Sequence, residues 1–538
     1  MKKSLLFSRV ISIVFILIIS FSAHAQTWQD TVALIDKVFS RYTDANPGAE
    51  LAISRNGRVI YSAAHGIADL EHNIPITKTT KIEAGSVSKQ FTAACILLLE
   101  QQGKLSLSDN IRKYVPEVPD YGYTITIRHL MNHVSGIKDW GSIAELAGWP
   151  RGTRAYANSD ALHIISLQKT LNNKPGDEYI YSNSGYNLLA IIIQRVSGSS
   201  LAVFSKNNLF EPAGMKNTEW RDDYQRVVPN RAIAYGKNAK GYYTNMPNEN
   251  VYGNGGLLTT AEDLLAWNNY YLNGKLGSPS LLSKQLAVTP FNSGKRHNYA
   301  AGLIVDSLNG WPSVTHSGST AGYRANLDHF PQQGLSIAWV SNTGQSDMSD
   351  IPSAIRNIFV KNPRPPARNT NTPPVIDLSN FTSYLGTYRE AKTGNGMKLF
   401  TEENALYVQP KVKLTPLTNH SAALGRARLE FTPGIAYLIS GADTTVYTSV
   451  PAPELGDLNQ YAGTYASEET ESKMNIVVKN GALVIEQRED EKLLLAPIYK
   501  HGFSFPGGDA FFETDKNGKV SKLFMSISRA RKVEFRKI

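Results

Sequence analysis

The sequence predicts an α+β domain with an antiparallel sheet, followed by two small all-β, antiparallel barrel-like units. Three observations carry that expectation. A buried helix around Phe91–Leu99 has strand-like runs before and after it, Lys361–Pro374 has linker composition, and the chain beyond repeats itself at an offset of 77 residues. With 538 residues, 42% hydrophobic and 19% charged, there is core-forming material for two or three domains. The expected division is 1–25, 26–360, a linker at 361–374, and two β units at 375–450 and 451–538.

The first segment reads as a signal peptide. Lys2, Lys3 and Arg9 accompany an apolar run from Val10 to Phe21, and Ala23, His24 and Ala25 form a small-residue cleavage pattern. The run is shorter than the roughly 20 residues that span a bilayer, and no Cys stands at the junction to take a lipid. The expectation is export to the periplasm or medium, a mature chain from Gln26, and no stable membrane anchor. A single Cys, Cys95, excludes an internal disulfide and a cysteine metal cluster, and reads as a small buried hydrophobe. The net charge of +10 falls to +7 without Lys2, Lys3 and Arg9, with no dense basic run, so nucleic acid is not an expected partner. Neither a metal nor an organic cofactor is expected.

Ala49–Ser54 and Val59–Ala63, joined by Asn56 and Gly57, read as a tight hairpin. From Ser86, the apolar spacing of Phe91, Ala94, Cys95, Leu98 and Leu99 predicts a buried helix of about five turns ending near Gly103. That helix puts Lys89 one turn from Ser86, a nucleophile beside its activator at a helix start that favours developing negative charge. About two chance Ser-x-x-Lys matches are expected in a chain of this length, so the pair needs company. Leu105–Tyr114 and Ile125–Met131 read as short helical or loop connectors, and His133, beside a helix end, as a structural hydrogen-bonder rather than a base.

Pro175, Gly176 and Asp177 turn the chain toward Tyr181 and Asn183, on the loop leading into a helix over Tyr186–Val196. Gly253–Gly256 reads as a flexible segment, and Thr260 with Asp263 as the N-terminal cap of a helix over Ala261–Tyr271. Strand-like runs follow at Ala301–Val305, Arg324–Phe330 and Leu335–Ser341, with His316, Ser317, Gly318 and Ser319 between the first two, and Ile351–Val360 closes the domain as a helix. Pro363, Pro365, Pro366, Pro373 and Pro374 mark the linker. Past it, Tyr384-Leu-Gly-Thr-Tyr388 returns as Tyr461-Ala-Gly-Thr-Tyr465, and Ala405-Leu406 as Ala482-Leu483, the mark of tandem units for which small barrels are the natural closure.

Ser86 with Lys89, Tyr181 with Asn183, and His316 with Gly318 stand in one order, each at an element boundary where a side chain can face a cleft. Singly they have ordinary structural readings, a core tyrosine, a turn asparagine and a loop histidine; jointly they resemble the motifs of the penicillin-recognising serine hydrolases, the serine β-lactamase and DD-peptidase superfamily. The resemblance covers roughly Ala49–Phe359 and is greatest to the class C-like branch that includes D-aminopeptidases and related esterases. It implies a β-lactamase/transpeptidase-like α/β/α sandwich and a role for each matching residue. Ser86 would form an acyl-enzyme, with Lys89 taking up or relaying its proton. Tyr181 would be general base or shuttle, its phenolate stabilised by Lys89, and Asn183 would orient Lys89 and the substrate amide. His316 would complete the catalytic set on the third motif, Gly318 and Ser319 would line the substrate site, and the backbone N–H groups of Ser86 and Ser319 would form the oxyanion hole. The paired β units resemble the two C-terminal, lipocalin-like barrels of D-aminopeptidases.

One departure bears on substrate. Where many superfamily members have Lys-Thr-Gly or Lys-Ser-Gly, this chain has His316-Ser-Gly, a largely neutral group in place of a permanent cation, so strong carboxylate recognition is not expected. The leading reading is an exported serine hydrolase cleaving amide or ester bonds of small substrates, D-amino-acid peptides among them. The alternatives are an esterase or β-lactamase, a slow-turnover penicillin-binding sensor, and an adhesive β protein with a vestigial hydrolase. The intact residue set favours the enzyme.

Overall fold

The computed structural model describes residues 27–345, 348–361, 376–409, 411–425, 427–440, 443–454, 456–488 and 491–538. The expected targeting segment and all but the first residue of the proline-rich stretch lie outside the described residues.

At the centre of the first domain is a six-stranded antiparallel sheet built from β1 (Ala49–Arg55), β2 (Arg58–His65), β3 (Ile304–Leu308), β4 (Trp311–Thr320), β5 (Tyr323–Phe330) and β6 (Leu335–Ser341), in the order β3-β4-β5-β6-β1-β2. The first and last sequence segments of the domain therefore meet, with Leu51 opposite Trp339 and Ile53 opposite Ile337. Alternation along a strand sends neighbours to opposite faces. Leu51 and Ile53 pack with Ile35 and Phe39 of the helix Trp28–Phe39 and with Ile351 and Ile355 of the helix Ile351–Phe359. Ala52, between them, faces the larger core around the helix Lys89–Gln101. Helices on both faces of an antiparallel sheet give the expected β-lactamase/transpeptidase-like layers.

Several boundaries differ from the sequence reading, each for a local reason. Ser86 does not open an α-helix: Gly85–Ser88 is a single 3₁₀ turn, and the α-helix runs Lys89–Gln101. Gly85 has φ +49°, and a Cβ on it would lie 2.7 Å from the Ser319 nitrogen, so the turn is tightened where it presses on β4. The strand expected at Ala301–Val305 begins only at Ile304, because Gly302, at φ +75°, lies against the Gln90 backbone. Asn183 is the first residue of its helix, Asn183–Ser197, and only Tyr181 is on the preceding loop.

Gly386–Val450 and Gly463–Lys537 each close into an eight-stranded antiparallel barrel, here barrel 1 and barrel 2. Barrel 1 encloses its own core around Phe381, Leu399, Leu406 and Phe431. Barrel 2 does not stop at its own residues: Ile143 and Leu146 of the first domain pack into the same buried cluster as Tyr465, Leu483 and Phe535.

Candidate active site

Ser86 is held at the junction of the 3₁₀ turn and the buried helix, with its hydroxyl 3.1 Å from Lys89 Nζ. Lys89 is fully buried and donates to Asn183 Oδ1 at 3.0 Å and to the Asn254 carbonyl at 2.6 Å. Among the described residues no carboxylate pairs with it. Burial pulls its pKa well below that of an ordinary lysine, Arg529 and Arg151 push the same way, and Asp139 opposes them. The three partners are chemically unequal. The Asn254 carbonyl and Asn183 Oδ1 only accept, whereas a serine hydroxyl can donate, so a neutral amine spends both N–H groups on the two carbonyl oxygens and turns its lone pair to Ser86.

Tyr181 completes the group. Its ring lies 4.8 Å from Lys89 Nζ, and removal from water pushes its phenol pKa up, with the Ser86 hydroxyl and Arg529 pulling the other way. The loop carrying it is pinned by His133, whose carbonyl accepts from Ile180 N at 3.0 Å and whose Nδ1 accepts from Ser182 N at 3.2 Å. His133 is thus the hydrogen-bonder that its sequence position suggests. His129 and His133 stand at a metal-ligand spacing, but the helix Ile127–Met131 ends between them and His129 Nδ1 accepts from Thr126 N.

Strand β4 runs beside the nucleophile turn. A Cβ on Gly318 would collide with the Ala84 carbonyl and lie 3.1 Å from Ser86 N, so only glycine lets the strand approach the turn. Ser319, exposed at the mouth, follows it with its nitrogen against Gly85. His316 is buried on the same strand: Nδ1 donates to the Ser317 carbonyl at 2.6 Å, which leaves Nε2 to accept from Tyr299 Oη at 3.0 Å. Burial lowers its pKa to about 4, with Lys89 pushing the same way whenever it is protonated, so His316 is neutral. No hydrogen bond among the described residues joins it to Ser86 or Lys89. The structure brings Ser86, Lys89, Tyr181 and Asn183 into one cluster with Gly318 and Ser319 along its wall, and sets His316 on the same buried face of β4 as Gly318, hydrogen-bonded to Tyr299.

Four contributors were not singled out in the sequence. Asn254 belongs to Gly253–Gly256, expected to be flexible; the segment is buried and braced, with Gly253 O accepting from Thr92 Oγ1 at 2.8 Å and Gly256 N donating to Glu83, itself paired with Arg221 at 2.8 Å. Asp139 caps the helix Trp140–Leu146 and accepts from Asn183 N at 2.6 Å, and an Asp before a helical run was a readable capping signal. Tyr299 holds His316. Arg529 comes from barrel 2 and lies 4.9 Å from the Tyr181 ring centroid.

The family model described as Beta-lactamase matches residues 35–358, more than half of the chain and all of the elements that carry this cluster. The chain belongs to the Beta-lactamase family. A D-aminopeptidase of Brucella anthropi is 24% identical over 95% of this chain and 99% of its own length. Penicillin-binding protein 4* of Bacillus subtilis is 28% identical over 66% of this chain and 82% of its own length. Among solved structures, the octameric penicillin-binding protein homologue from Pyrococcus abyssi superposes with a TM-score of 0.55 at 23% identity, covering 78% of this chain and 99% of that one, a likeness of fold. As a Beta-lactamase family member with D-aminopeptidase relatives, the protein is a serine hydrolase.

Proposed function

We propose that this hydrolase is exported, works through an acyl-enzyme on Ser86, and cleaves amide or ester bonds of small substrates, D-amino-acid peptides first among them. The observation that carries the reading is the Lys89 environment: two obligate acceptors, one hydroxyl, and no counter-ion among the described residues. As Ser86 Oγ attacks the carbonyl carbon, its proton passes to the Lys89 lone pair, and the N–H groups of Ser86 and Ser319 take the charge on the carbonyl oxygen. The tetrahedral intermediate collapses, the Tyr181 phenol protonates the departing amine or alkoxide, and Lys89 replenishes Tyr181. Water then attacks the ester by the reverse relay and frees Ser86. In this scheme Lys89 is the base and Tyr181 the shuttle, because burial disfavours the charged form of each; that differs from a phenolate held by a lysine cation. Asn183 fixes the amine, and His316 acts through Tyr299 as a positioning residue.

The D-aminopeptidase relatives support the amide substrate class, and the Bacillus subtilis penicillin-binding relative supports a second reading in which deacylation is slow. Intact-mass spectrometry after treatment with a fluorophosphonate and with a penicillin tests both. The wild type should gain one adduct and Ser86→Ala none, with hydrolysis of a neutral ester falling more than about 1000-fold in the variant. Equal labelling of the two proteins would remove Ser86 as nucleophile. A penicillin adduct that persists for hours would select the slow-deacylating reading. For export, the mature N-terminus is expected at Gln26.

A further inference from the structure

The last two strands of barrel 2, Val520–Ile527 and Ala530–Lys537, turn through Ser528 and Arg529 at the edge of the catalytic cleft. The turn is fixed by its backbone. Arg529 O accepts from Asp139 N at 3.0 Å and from Asn172 Nδ2 at 2.9 Å, and Arg531 N donates to Asn172 Oδ1 at 2.8 Å. Arg531 itself pairs with Glu178 at 2.8 Å. One of these anchors, Asp139, also holds the helix start that bears Asn183, so the turn and the catalytic group share a foundation.

The Arg529 side chain is used differently from its neighbours. Arg151, the other arginine felt at Lys89, is tied to Glu249 and lies 5.4 Å from the Trp140 ring. Arg529 is half-buried over Tyr181, and among the described residues its guanidinium has neither a carboxylate partner nor a hydrogen-bond acceptor. A planar cation held on a rigid turn, without a carboxylate partner among the described residues, carries an electrostatic cost that an incoming anion removes. A guanidinium fork also matches a carboxylate in two parallel hydrogen bonds. His316, with its pKa lowered to about 4, leaves the third-motif strand without a permanent cation.

We propose that Arg529 is a specificity-determining residue, and that barrel 2 thereby makes this hydrolase prefer substrates bearing a carboxylate close to the scissile bond. The proposal rests on the serine hydrolase reading of the same site and assigns the substrate's charge. Two matched ester pairs test it on the full-length protein: a depsipeptide with a free C-terminal carboxylate against its methyl ester, and a glutaryl against a butyryl p-nitrophenyl ester. In at least one pair the wild type should favour the acid by kcat/KM. Arg529→Gln should lower that acid-to-neutral ratio by about 10- to 100-fold, and Arg529→Lys should restore part of it. Each measurement is a ratio within one protein, so a general loss of activity cancels. A wild type with no preference for the acid in either pair overturns the proposal without recourse to a variant, and so does a ratio unchanged in Arg529→Gln. Failure of the underlying reading looks different: no Ser86-dependent hydrolysis of any of the four esters.

Discussion

Tyr388 donates to the Tyr384 carbonyl at 2.6 Å in barrel 1, and Tyr465 donates to the Tyr461 carbonyl at 2.8 Å in barrel 2, the same corner made twice by the repeated Tyr-x-Gly-Thr-Tyr motif. Built alike, the barrels meet the catalytic domain by different physics. Barrel 2 shares a core with Ile143 and Leu146 and buries an ion pair, Lys138 with Glu469 at 2.9 Å, almost wholly out of water. Barrel 1 reaches the same domain through Lys392 and Glu178 at 3.2 Å, with the lysine side chain 77% exposed. The turn of the final hairpin of barrel 2 also brings Arg529 to 4.9 Å from the Tyr181 ring centroid of the catalytic domain. A repeat preserves a fold, while the residues at turns and edges decide what that fold can do for its neighbour.

The largest effect that could break this contrast is at Glu469. Its carboxylate accepts from Lys138 Nζ and from Lys169 N at 3.1 Å, both of the first domain, and from Glu534 N at 3.2 Å within its own barrel, so it ties the two domains together at two donors. Burial already pulls the Lys138 pKa down and Glu469 is what opposes that pull. Glu469→Gln strands the lysine charge, and a loss of about 3–5 kcal/mol in unfolding free energy is expected. Denaturation followed by tryptophan fluorescence measures it. A loss below about 1 kcal/mol would mean that barrel 2 is docked no more firmly than barrel 1.

Much of this architecture was legible because its causes are local. The Asn56-Gly57 hairpin joins β1 and β2 where the turn chemistry puts it, and Thr260 accepts from Asp263 N at 3.2 Å to open Ala261–Tyr271. The barrels declared themselves by their repeat, and Ser86 with Lys89 stood out only in company with Tyr181-Ser-Asn183 and His316-Ser-Gly318. What could not be read depends on tertiary contact. Pressure from β4 converts the first turn to 3₁₀, and close packing of Gly302 delays a strand. Burial makes a glycine-rich segment a rigid carbonyl ligand for Lys89 through Asn254. Arg529 gave no local signal at all, because a turn in a distant barrel acquires meaning only from the surface it lands on.

A smaller effect sharpens the contrast from the other side. Lys392→Ala removes an exposed pair whose carboxylate, Glu178, keeps Arg531 as a partner, so a change of at most about 1 kcal/mol is expected in the same denaturation experiment. A loss comparable to that of Glu469→Gln would make the two interfaces energetically alike and remove the basis of the comparison.

The finest test asks whether barrel 2 reaches the catalytic base itself. In the proposed scheme kcat/KM requires the neutral Lys89 amine, so activity falls as pH drops through its lowered pKa. Arg529 contributes to that lowering, together with burial and Arg151 and against Asp139. Removing the Arg529 charge takes away a repulsion that disfavours the ammonium. The pKa of Lys89 then rises, a smaller fraction of amine remains at a given acidic pH, and the acid limb moves toward higher pH. The substrate should be an uncharged ester, so that the shift is not mixed with loss of an anion site. His316, with its pKa near 4, and Tyr181, with its phenol pushed up, are displaced to either side of neutrality. Lys392→Ala, on barrel 1, should leave the limb in place. A limb that stays put in a well-folded Arg529→Gln protein would show that the charge on barrel 2 does not set the proton affinity of Lys89, whatever it does for the substrate.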